Sequence, residues 1–363
     1  MVLAESYVHN LDPFAIQLTD TFGIRWYGLA YLTGFVVAWL ILKWMASTGR
    51  ILLKPGQVGD FLTWLIIGTL LGGRLGYVLL YSPDLLWTFT DTIPFWGVLA
   101  IHEGGMASHG GMAGVVIAAI LYARKAGIVP WHLLDVVGFI APPGLGLGRV
   151  ANFVNGELWG RPLPDSMRAD PPWWSFKFPQ EIREANFPHG VEVESIAISV
   201  LPETLPNQID ELRNQAVQQG MTAADTAAQI SELKRSALVD AVYSGQANAS
   251  EALAPYLTPY YPSSLFQALS DGVVLFVALV LVWLVPRKPG IITGSYLVVY
   301  GILRVLTEQY RAQFTTNWGY SSMVVAGGIS AIMVLIGIGI LIYCGRSTRK
   351  PVGGLLPHKP AAA

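Results

Sequence analysis

Charged residues are scarce in this chain, and their scarcity argues against an ordinary soluble domain. Only 13% of the 363 residues are Asp, Glu, Lys or Arg, whereas 53% are hydrophobic; a soluble domain is typically about a quarter charged. The formal net charge of −1 and the lack of a basic block give no electrostatic steering toward nucleic acid. The hydrophobic residues are concentrated in runs of about 20, the length that crosses a hydrocarbon core. The composition therefore predicts a polytopic membrane protein.

Cysteine is almost absent as well. Cys344 is the one cysteine, so no disulfide can form within the chain, and a lone buried thiol usually behaves as a small hydrophobic side chain. The N-terminal residues lack both the basic start and the apolar core of a cleavable signal peptide, so we expect none. His102, Glu103 and His109 have no cluster of cysteines or carboxylates around them at ligand spacing, and we expect no metal site.

Seven apolar runs are long enough to cross a membrane as helices. They cover residues 27–46, 57–81, 106–123, 131–152, 264–285, 291–309 and 322–344. Short cytoplasmic loops collect Lys and Arg. Here basic residues follow the first, third, fifth and seventh runs, whereas the loop at 82–105 has none. We therefore expect seven transmembrane helices with the N-terminus outside and the C-terminus in the cytoplasm.

A polar segment, residues 161–263, separates the fourth and fifth runs and is placed outside by this topology. Residues 173–178 and 191–200 alternate like short strands. The second half reads as a helix pair, one helix at about 207–220 and one from the cap at Thr222 to about Gly245. We expect an α+β outer (periplasmic) insertion in an otherwise all-α membrane protein. The predicted domains are a bundle at 1–160, the insertion at 161–263, the rest of the bundle at 264–345 and a cytoplasmic tail at 346–363.

Three arginines, Arg74, Arg149 and Arg304, lie inside predicted spans. An arginine at the centre of a bilayer costs roughly 2.5 to 3.5 kcal/mol on insertion scales, so each needs a partner or a function. Tyr300, Arg304 and Glu308 are four apart and share a helix face, so an Arg–Glu pair is the structural alternative. A bound phosphodiester explains three guanidinium groups better, because they match phosphate oxygens bidentately.

His109 lies among glycines where the third span begins. An imidazole titrates near neutral pH and can accept a proton from a nucleophile, so we consider it a candidate general base. A hydrogen bond between helices is the structural alternative. Tyr27, at the start of the first span, is on its chemistry alone an interfacial aromatic residue.

Glycine recurs at four-residue intervals within three predicted spans. The positions are Gly68, Gly72 and Gly76 in the second span, Gly110 and Gly114 in the third, and Gly144 and Gly148 in the fourth. Small residues at this spacing let helix backbones approach closely, where lipid provides no hydrophobic drive for association. We expect close helix packing at these positions.

The segment Gly148-Arg-Val-Ala-Asn-Phe-Val-Asn-Gly-Glu-Leu-Trp-Gly160 closely resembles the signature of the prolipoprotein diacylglyceryl transferases, bacterial membrane enzymes that begin lipoprotein maturation. The other matching motifs are Arg25-Trp-Tyr-Gly28, Gly73-Arg-Leu-Gly-Tyr77, Gly104-Gly-Met-Ala-Ser-His-Gly-Gly111, Asp135, and Tyr300-Gly-Ile-Leu-Arg304 with Glu308. They follow the family's order over roughly 25–162 and 259–345. The resemblance implies seven spans in the bacterial inner membrane, with an active site that faces the outer leaflet.

The resemblance also implies the reaction. Such enzymes move the diacylglyceryl group of phosphatidylglycerol to the lipobox cysteine thiol of a prolipoprotein, whose signal peptide is held in the membrane. A thioether forms and glycerol phosphate leaves. The implied partners are therefore this phospholipid, the prolipoprotein and membrane lipids, with no nucleic acid and no cofactor.

Roles for individual residues follow from the same resemblance. Arg149 and Arg304 would hold the lipid phosphate, and His109 would be the base. The remaining predicted site residues are Tyr27, Asn152, Glu157, Gly160, Tyr300, Glu308 and Arg74. As the bond from the glyceryl carbon to oxygen breaks, negative charge grows on the phosphate, and fixed arginines stabilise that growth.

The chain departs from the family pattern in two segments. The usual His-Pro-Ser-Gln-Leu-Tyr-Glu is here Tyr261-Pro-Ser-Ser-Leu-Phe-Gln267, and the Pro-Asp that usually follows Arg311 is Ala312-Gln313. We expect these changes to affect the entrance and peptide handling more than the reaction. Two rival functions use the same arginines or the same fold: a carrier or flippase for an anionic lipid, and a non-catalytic relative whose outer segment recruits partners.

Overall fold

The computed structural model describes residues 6–17, 23–91, 93–100, 104–184, 186–312 and 321–356. The chain is mostly helical and divides into two compact units. The first unit comprises residues 1–29, 148–267 and 307–323, and the second comprises residues 30–147, 268–306 and 324–363. Two long helices, at 130–154 and 291–308, continue from one range into the next.

The helices have the following bounds in chain order. They are α1 Trp26–Ser47, α2 Val58–Leu80, α3 Ser108–Ala126, α4 Pro130–Val154, α5 Asp165–Arg168, α6 Gly190–Val200, α7 Leu205–Gln218, α8 Ala223–Tyr243, α9 Ala247–Leu253, α10 Ser263–Gln267, α11 Leu275–Val282, α12 Ile291–Glu308 and α13 Ser322–Gly345. Between α10 and α11, residues Ala268–Val274 are π-helical. The strands are β1 Tyr7–Val8, β2 Phe14–Gln17, β3 Gly23–Arg25, β4 Phe176–Lys177 and β5 Pro259–Tyr260.

Six helical stretches among the described residues are long and apolar enough to cross a membrane. They are Trp26–Ser47, Pro55–Leu80, Pro130–Val154, Ser263–Val282, Ile291–Glu308 and Ser322–Gly345. They coincide with six of the seven predicted spans. The predicted third span is helical too, as α3, but it is not among the six; its first two residues are Ser108 and His109, and its last turn contains Arg124 and Lys125.

Large aliphatic and aromatic side chains form the core of the second unit. Phe61, Leu42, Met45 and Leu133 are fully buried in it. Trp283, at the end of α11, is 1% exposed and packs edge to face on Phe139. In a membrane helix, only the face that packs on neighbouring helices is buried in protein. The core residues therefore lie on the faces of the helices that are turned toward one another.

Cys344 is fully buried near the end of α13, as the sequence predicted for a small hydrophobic side chain. Gly290 lies so close that a Cβ there would overlap the Cys344 sulfur atom. Gly290 also has a φ of +102°, a backbone conformation that L side chains rarely adopt. The thiol is therefore enclosed by protein on the side of the loop before α12.

The first unit contains a helical cluster and a small sheet. Helices α6 to α9 enclose a separate core that includes Val193, Ile209, Leu238 and Leu253. The sheet order is β1-β4-β5, with β1 parallel and β5 antiparallel to β4, and β2 pairs with β3 as a separate hairpin. The predicted helix pair is confirmed as α7 and α8, and Thr222 caps α8 by accepting a hydrogen bond from the Asp225 amide.

The strand predicted at 191–200 is wrong, since these residues form α6. The apolar residues there fit a period of two, but Val193, Ala197 and Val200 also recur at helical spacing. Val193 and Ala197 are fully buried against the cluster around α8. The sequence is compatible with both the strand period and the helix period, and tertiary packing favours the helix. The neighbouring prediction at 173–178 is confirmed only for the two residues of β4.

Helices α2 and α3 touch through their backbones, as the glycine spacing predicted, whereas a Cβ on Gly144 or Gly148 of α4 would meet nothing within 4 Å. A Cβ placed on Gly114 would overlap the carbonyl oxygen of Gly68, and one on Gly72 would overlap that of Gly110. A Cβ on Gly76 would lie 2.7 Å from the Gly110 Cα. Only glycine permits this approach, and it fixes the first turns of α3 against α2.

We expect Gly114→Ala to destabilise the protein by about 1–3 kcal/mol, because the added methyl group must push two backbones apart. The matched control is Gly339→Ala on α13, where a Cβ would meet nothing within 4 Å; it should change stability by less than about 0.5 kcal/mol. The midpoint of thermal unfolding of the purified protein in detergent measures both. Equal midpoints for the two variants would contradict the close contact.

Candidate functional site

The signature segment begins on the last turns of α4 and continues into a tight turn. Asn152 is 6% exposed and Arg149, one turn earlier, is half-buried. The chain reverses through hydrogen bonds from the Gly156 amide to the Phe153 carbonyl and from the Glu157 amide to the Asn152 carbonyl, both 2.9 Å. Gly156 has a φ of +62°, for which glycine is suited. We call residues 155–160 the signature turn.

A second residue of this turn also has a left-handed backbone. Leu158 has a φ of +54°, which L residues other than Gly, Asn and Asp seldom adopt. Strain of this kind costs of order 1–3 kcal/mol and persists only where surrounding structure holds the backbone. The hydrogen bonds that hold the signature turn are therefore part of the site.

Tyr27 and Glu157 are brought together, in agreement with their assignment to one site. The Tyr27 hydroxyl, at the start of α1, donates to the Glu157 Oε2 atom at 3.1 Å. The Asn155 side chain donates to the other oxygen, Oε1, at 3.4 Å. An ionised carboxylate can accept about four hydrogen bonds, and Glu157 is exposed, so it retains acceptor capacity for a ligand hydroxyl.

Gly160 is a position where backbones meet. It pairs with Arg311 in an antiparallel bridge, and a Cβ on it would overlap the Tyr261 carbonyl oxygen. The amide of Arg161 donates to the Tyr310 carbonyl at 2.9 Å. The structure therefore gives Gly160 a role in bringing three chain segments together, which is compatible with its predicted place in the site.

Two serines that the sequence analysis did not assign to the site hold the signature turn. Ser263 Oγ donates to the Leu158 carbonyl at 2.9 Å, and Ser264 Oγ donates to the carbonyls of Glu157 and Leu158 at 3.2 and 3.1 Å. Both serines are buried. They belong to the segment 261–267, in which Ser263 matches the family pattern and Ser264 replaces its Gln, and this motif was the available signal.

His9 supports the same region from the N-terminal segment. Its Nε2–H donates to the Phe153 carbonyl at 2.7 Å, and its Nδ1 accepts from the Tyr243 hydroxyl at 3.3 Å. The rings of Phe153 and Phe178 pack on the imidazole. Burial of this neutral ring lowers the pKa of His9 from 6.5 to about 4. Sequence analysis missed His9 because a single histidine in an irregular segment carries no periodicity.

Glu308 lies at the end of α12 and is 4% exposed. Arg311 Nη1 is 3.8 Å from the Glu308 Oε2 atom, which makes an ion pair within one turn of chain. The sequence analysis considered Arg304 as the ionic partner of Glu308. Arg311 is an ionic partner of Glu308 in the structure, and it also takes part in the bridge to Gly160.

Helix α12 carries Tyr300 and Arg304 in the second unit, and Asp135 fixes its N-terminus. Asp135 on α4 accepts hydrogen bonds from the amides of Gly290 and Thr293, both at 2.7 Å, and from the Thr293 hydroxyl at 2.8 Å. The backbone amides at the N-terminus of a helix have no hydrogen-bond partner within the helix, and Asp135 provides one for these two amides. Tyr300 stacks on Tyr296 at 5.7 Å between ring centroids, and Arg304 is half-buried.

Arg74, which was predicted to bind substrate, is directed at protein carbonyl groups. Its guanidinium group donates to Gly97 at 2.6 Å, to Val98 and Gly104 at 2.7 Å, and to Gly105 at 3.1 Å. Four of the five N–H groups of an arginine are thereby occupied, and the side chain is 4% exposed. The geometry supports a positioning role for Arg74: it joins α2 to the chain segments on both sides of residues 101–103.

His109 is the second residue of α3 and is exposed. The amide of Ala107, which precedes α3, donates to the Gly73 carbonyl on α2 at 2.9 Å. Gly110, which follows His109, contacts the backbone of α2 directly. An exposed imidazole on this first turn is accessible to solutes, as a general base must be.

Within the described part of the chain, no group of three or more His, Cys, Asp or Glu side chains is close enough to hold a metal ion. His102 and Glu103, which the sequence analysis considered together with His109, lie outside the described residues.

Comparison with known proteins gives consistent matches over nearly the whole chain. The sequence profile of the family described as prolipoprotein diacylglyceryl transferase matches residues 13–343. A phosphatidylglycerol–prolipoprotein diacylglyceryl transferase of Bdellovibrio bacteriovorus is 38% identical over 356 residues, which cover 96% of each chain. A protein with the same name from Rhodospirillum centenum is 34% identical, over 97% of this chain and 96% of its own length. One from Chromobacterium violaceum is 31% identical, over 93% of this chain and 97% of its own length.

The buried imidazole next to the signature turn predicts a pH-dependent stability. Because the pKa of His9 is about 4 in the folded protein and 6.5 without burial, His9 is neutral in both states above pH 6.5. As the pH falls from 6.5 toward 4, the unfolded chain takes up a proton that the folded chain does not. The free energy of unfolding should then fall by about 1.4 kcal/mol per pH unit from this group.

Thermal unfolding midpoints measured at pH 7.5 and at pH 5 test this prediction. His9→Asn should reduce the difference between the two midpoints, whereas His189→Asn, at a half-exposed histidine of the same unit, should leave the difference unchanged. The same pH dependence in the wild-type protein and in His9→Asn would contradict the assignment.

Proposed function

The chain belongs to the prolipoprotein diacylglyceryl transferase family, and from this premise we propose how its own residues perform the reaction. As a member it is a transferase of lipoprotein biosynthesis that moves a diacylglyceryl group from phosphatidylglycerol to a prolipoprotein. The observation that carries this conclusion is the family match over residues 13–343. The proposals below concern the acceptor atom, the site residues and the topology.

We propose that the acceptor is a cysteine thiol of the prolipoprotein, held near the membrane by its signal peptide. The sulfur attacks the glyceryl carbon that carries the phosphate ester, the carbon–sulfur bond forms, and the carbon–oxygen bond breaks. The diacylglyceryl thioether and glycerol phosphate are the products. The thiol proton is taken up by a base, and the phosphate group gains one negative charge as it leaves.

His109 is the proposed base. A thiol with a pKa of about 8.5 is mostly protonated at neutral pH, and a neighbouring imidazole raises the fraction of nucleophilic thiolate. Support comes from the exposure of His109 and from the backbone contact of Gly110 with α2, which fixes the first turn of α3.

Arg149 and Arg304 are each proposed to bind phosphate oxygens of the lipid. Each is half-buried on a helix whose end is held by other contacts, so its guanidinium group requires little reorganisation when charge develops. A fixed cation stabilises the leaving phosphate dianion more than the resting diester, and this difference lowers the barrier. Tyr300, Asn152 and Glu308 are proposed to bind substrate as well.

Glu157 is proposed to accept a hydrogen bond from a hydroxyl of the glycerol headgroup. The support is the remaining acceptor capacity of its carboxylate, which Tyr27 and Asn155 already orient. Tyr27 would thus act on the lipid through Glu157 or directly through its hydroxyl. Gly160 would contribute by allowing the close approach of the segment at Tyr261.

The topology completes the proposal. We propose that α3 is a seventh transmembrane helix, since its glycine residues pack on α2 rather than face lipid. With seven spans, the charges of the short loops place the N-terminus and the segment 161–263 outside the inner membrane.

Arg149→Ala should reduce transfer by at least about 100-fold, the loss expected when one fixed donor to a developing anion is removed. The assay uses the purified protein, phosphatidylglycerol vesicles and a lipobox peptide, and it detects the mass gain of one diacylglyceryl group and the release of glycerol phosphate. Cys344→Ala, at the buried cysteine, is the control and should retain activity. Equal activity of both variants would remove Arg149 from the site, and lipid movement without the peptide adduct would favour a carrier.

His109→Gln should reduce kcat/KM by about 100- to 10,000-fold at neutral pH, the range expected for the loss of a general base. The residual rate should rise with pH as the peptide thiol ionises without assistance. The pH dependence of kcat/KM should be unchanged in His189→Gln, the surface control. A His109→Gln profile that parallels the wild-type profile would show that His109 does not take the proton.

A further inference from the structure

The loop between α2 and α3 exposes large apolar side chains that the proposed reaction does not use. We call residues 81–100 the apolar loop; of these, residue 92 is not described. Trp87 is 81% exposed, Ile93 80%, Phe89 71% and Phe95 56%. Its charged residues are Asp84 and Asp91, and it contains no Lys or Arg. A contiguous exposed patch of this kind marks a surface that contacts a partner or a membrane.

The apolar loop has a defined structure, so its exposed side chains are presented by a fixed backbone. The Thr90 amide donates to the Phe95 carbonyl at 3.1 Å, and the Gly97 amide donates to the Thr88 carbonyl at 2.8 Å. The rings of Phe89 and Trp96 stack, with an angle of 10° between their planes. These two hydrogen bonds pair backbone polar groups of the hairpin with one another, as an apolar environment requires.

The exposed face of the loop continues from the lipid-facing side of a membrane-length helix. On α2, Leu71, Leu75 and Leu79 are four residues apart and are 56%, 47% and 62% exposed, and Leu80 is 69% exposed. This stripe leads along the chain directly into the apolar loop. Trp and other aromatic residues are enriched at the level of lipid headgroups, and Trp87 and Phe89 come within ten residues of the end of α2.

We propose that the apolar loop is an interfacial anchor whose partner is the lipid surface itself. Its rings insert among the headgroups at the membrane face where α2 ends, and its hairpin lies in the interface without crossing the bilayer. The stripe on α2 favours lipid over a protein partner, because the apolar loop follows it directly along the chain and α2 is long and apolar enough to cross a membrane.

Arg74 transmits this anchoring to the start of α3. Its guanidinium group holds the Gly97 and Val98 carbonyls at the base of the apolar loop and the Gly104 and Gly105 carbonyls that lead into α3. The depth of the loop in the interface therefore sets the depth of the first turn of α3. This is the function that the structure gives to an arginine placed within a membrane span.

Spin labels in the full chain test the anchor. A label is attached at Ile93→Cys in a Cys344→Ala background, and the protein is reconstituted into vesicles of phosphatidylcholine and phosphatidylglycerol. Collision rates with oxygen, which partitions into lipid, and with a neutral nickel chelate, which stays in water, are measured by power saturation. Val217→Cys is the matched control, since Val217 is 81% exposed on the polar helix α7, and Leu79→Cys is the lipid reference.

The logarithm of the ratio of the oxygen collision rate to the nickel collision rate should be positive for the label at residue 93. It should be lower than the value at residue 79 and higher than the value at residue 217, which should be negative. A negative value at 93, equal to that at 217, would place the loop in water and overturn the proposal. Low collision rates with both reagents would show that protein covers the loop, as in a dimer, and would overturn it equally. If Ile93→Cys does not fold, as judged by gel filtration, Phe95→Cys provides the same reading.

Discussion

Backbone groups that have no helical partner are the constraint on which this structure depends. In hydrocarbon there is no water to satisfy them, and each unpaired group costs several kcal/mol. Arg74 satisfies four carbonyls between α2 and α3, Asp135 satisfies amides at the start of α12, and Ser263 and Ser264 satisfy carbonyls of the signature turn. Each polar side chain thus fixes a place where the chain leaves a helix.

Those places are also where the chemistry is assigned. The signature turn carries Glu157, and its strained backbone at Leu158 is retained because hydrogen bonds hold it on both sides. The start of α3 carries His109, and backbone contact with α2 leaves that turn little freedom. A reaction in which charge moves from a thiol to a phosphate benefits from groups that are oriented before the substrates arrive. The same hydrogen bonds that make irregular backbone tolerable in a membrane therefore provide this orientation.

Structure could be predicted from the sequence where only one conformation avoids a large energetic penalty. Prediction was less successful where several arrangements avoid it. Six predicted spans match helices because an apolar run of that length has few other stable conformations. The energetic cost of burying Arg74 led to the correct prediction that its guanidinium group has a partner. The position of Arg74 in an apolar run could not show whether that partner is a phosphate or the carbonyl groups of a loop 23 residues away. At 191–200 the apolar residues satisfied two periods, and packing on α8 decided for the helix. Ser263 and Ser264 were not assigned, because a hydroxyl that supports a distant turn leaves no periodic trace.

The buried position of Cys344 has a consequence for an enzyme that acts on a thiol. The catalyst must receive a reactive sulfhydryl from another polypeptide, and a surface cysteine of its own would offer that group a competing acceptor for oxidative cross-linking. The chain has one cysteine, and it is enclosed beneath the loop at Gly290. The incoming sulfhydryl therefore meets no accessible thiol on the catalyst, and thiol-selective alkylating reagents can be directed at the peptide while Cys344 remains unmodified.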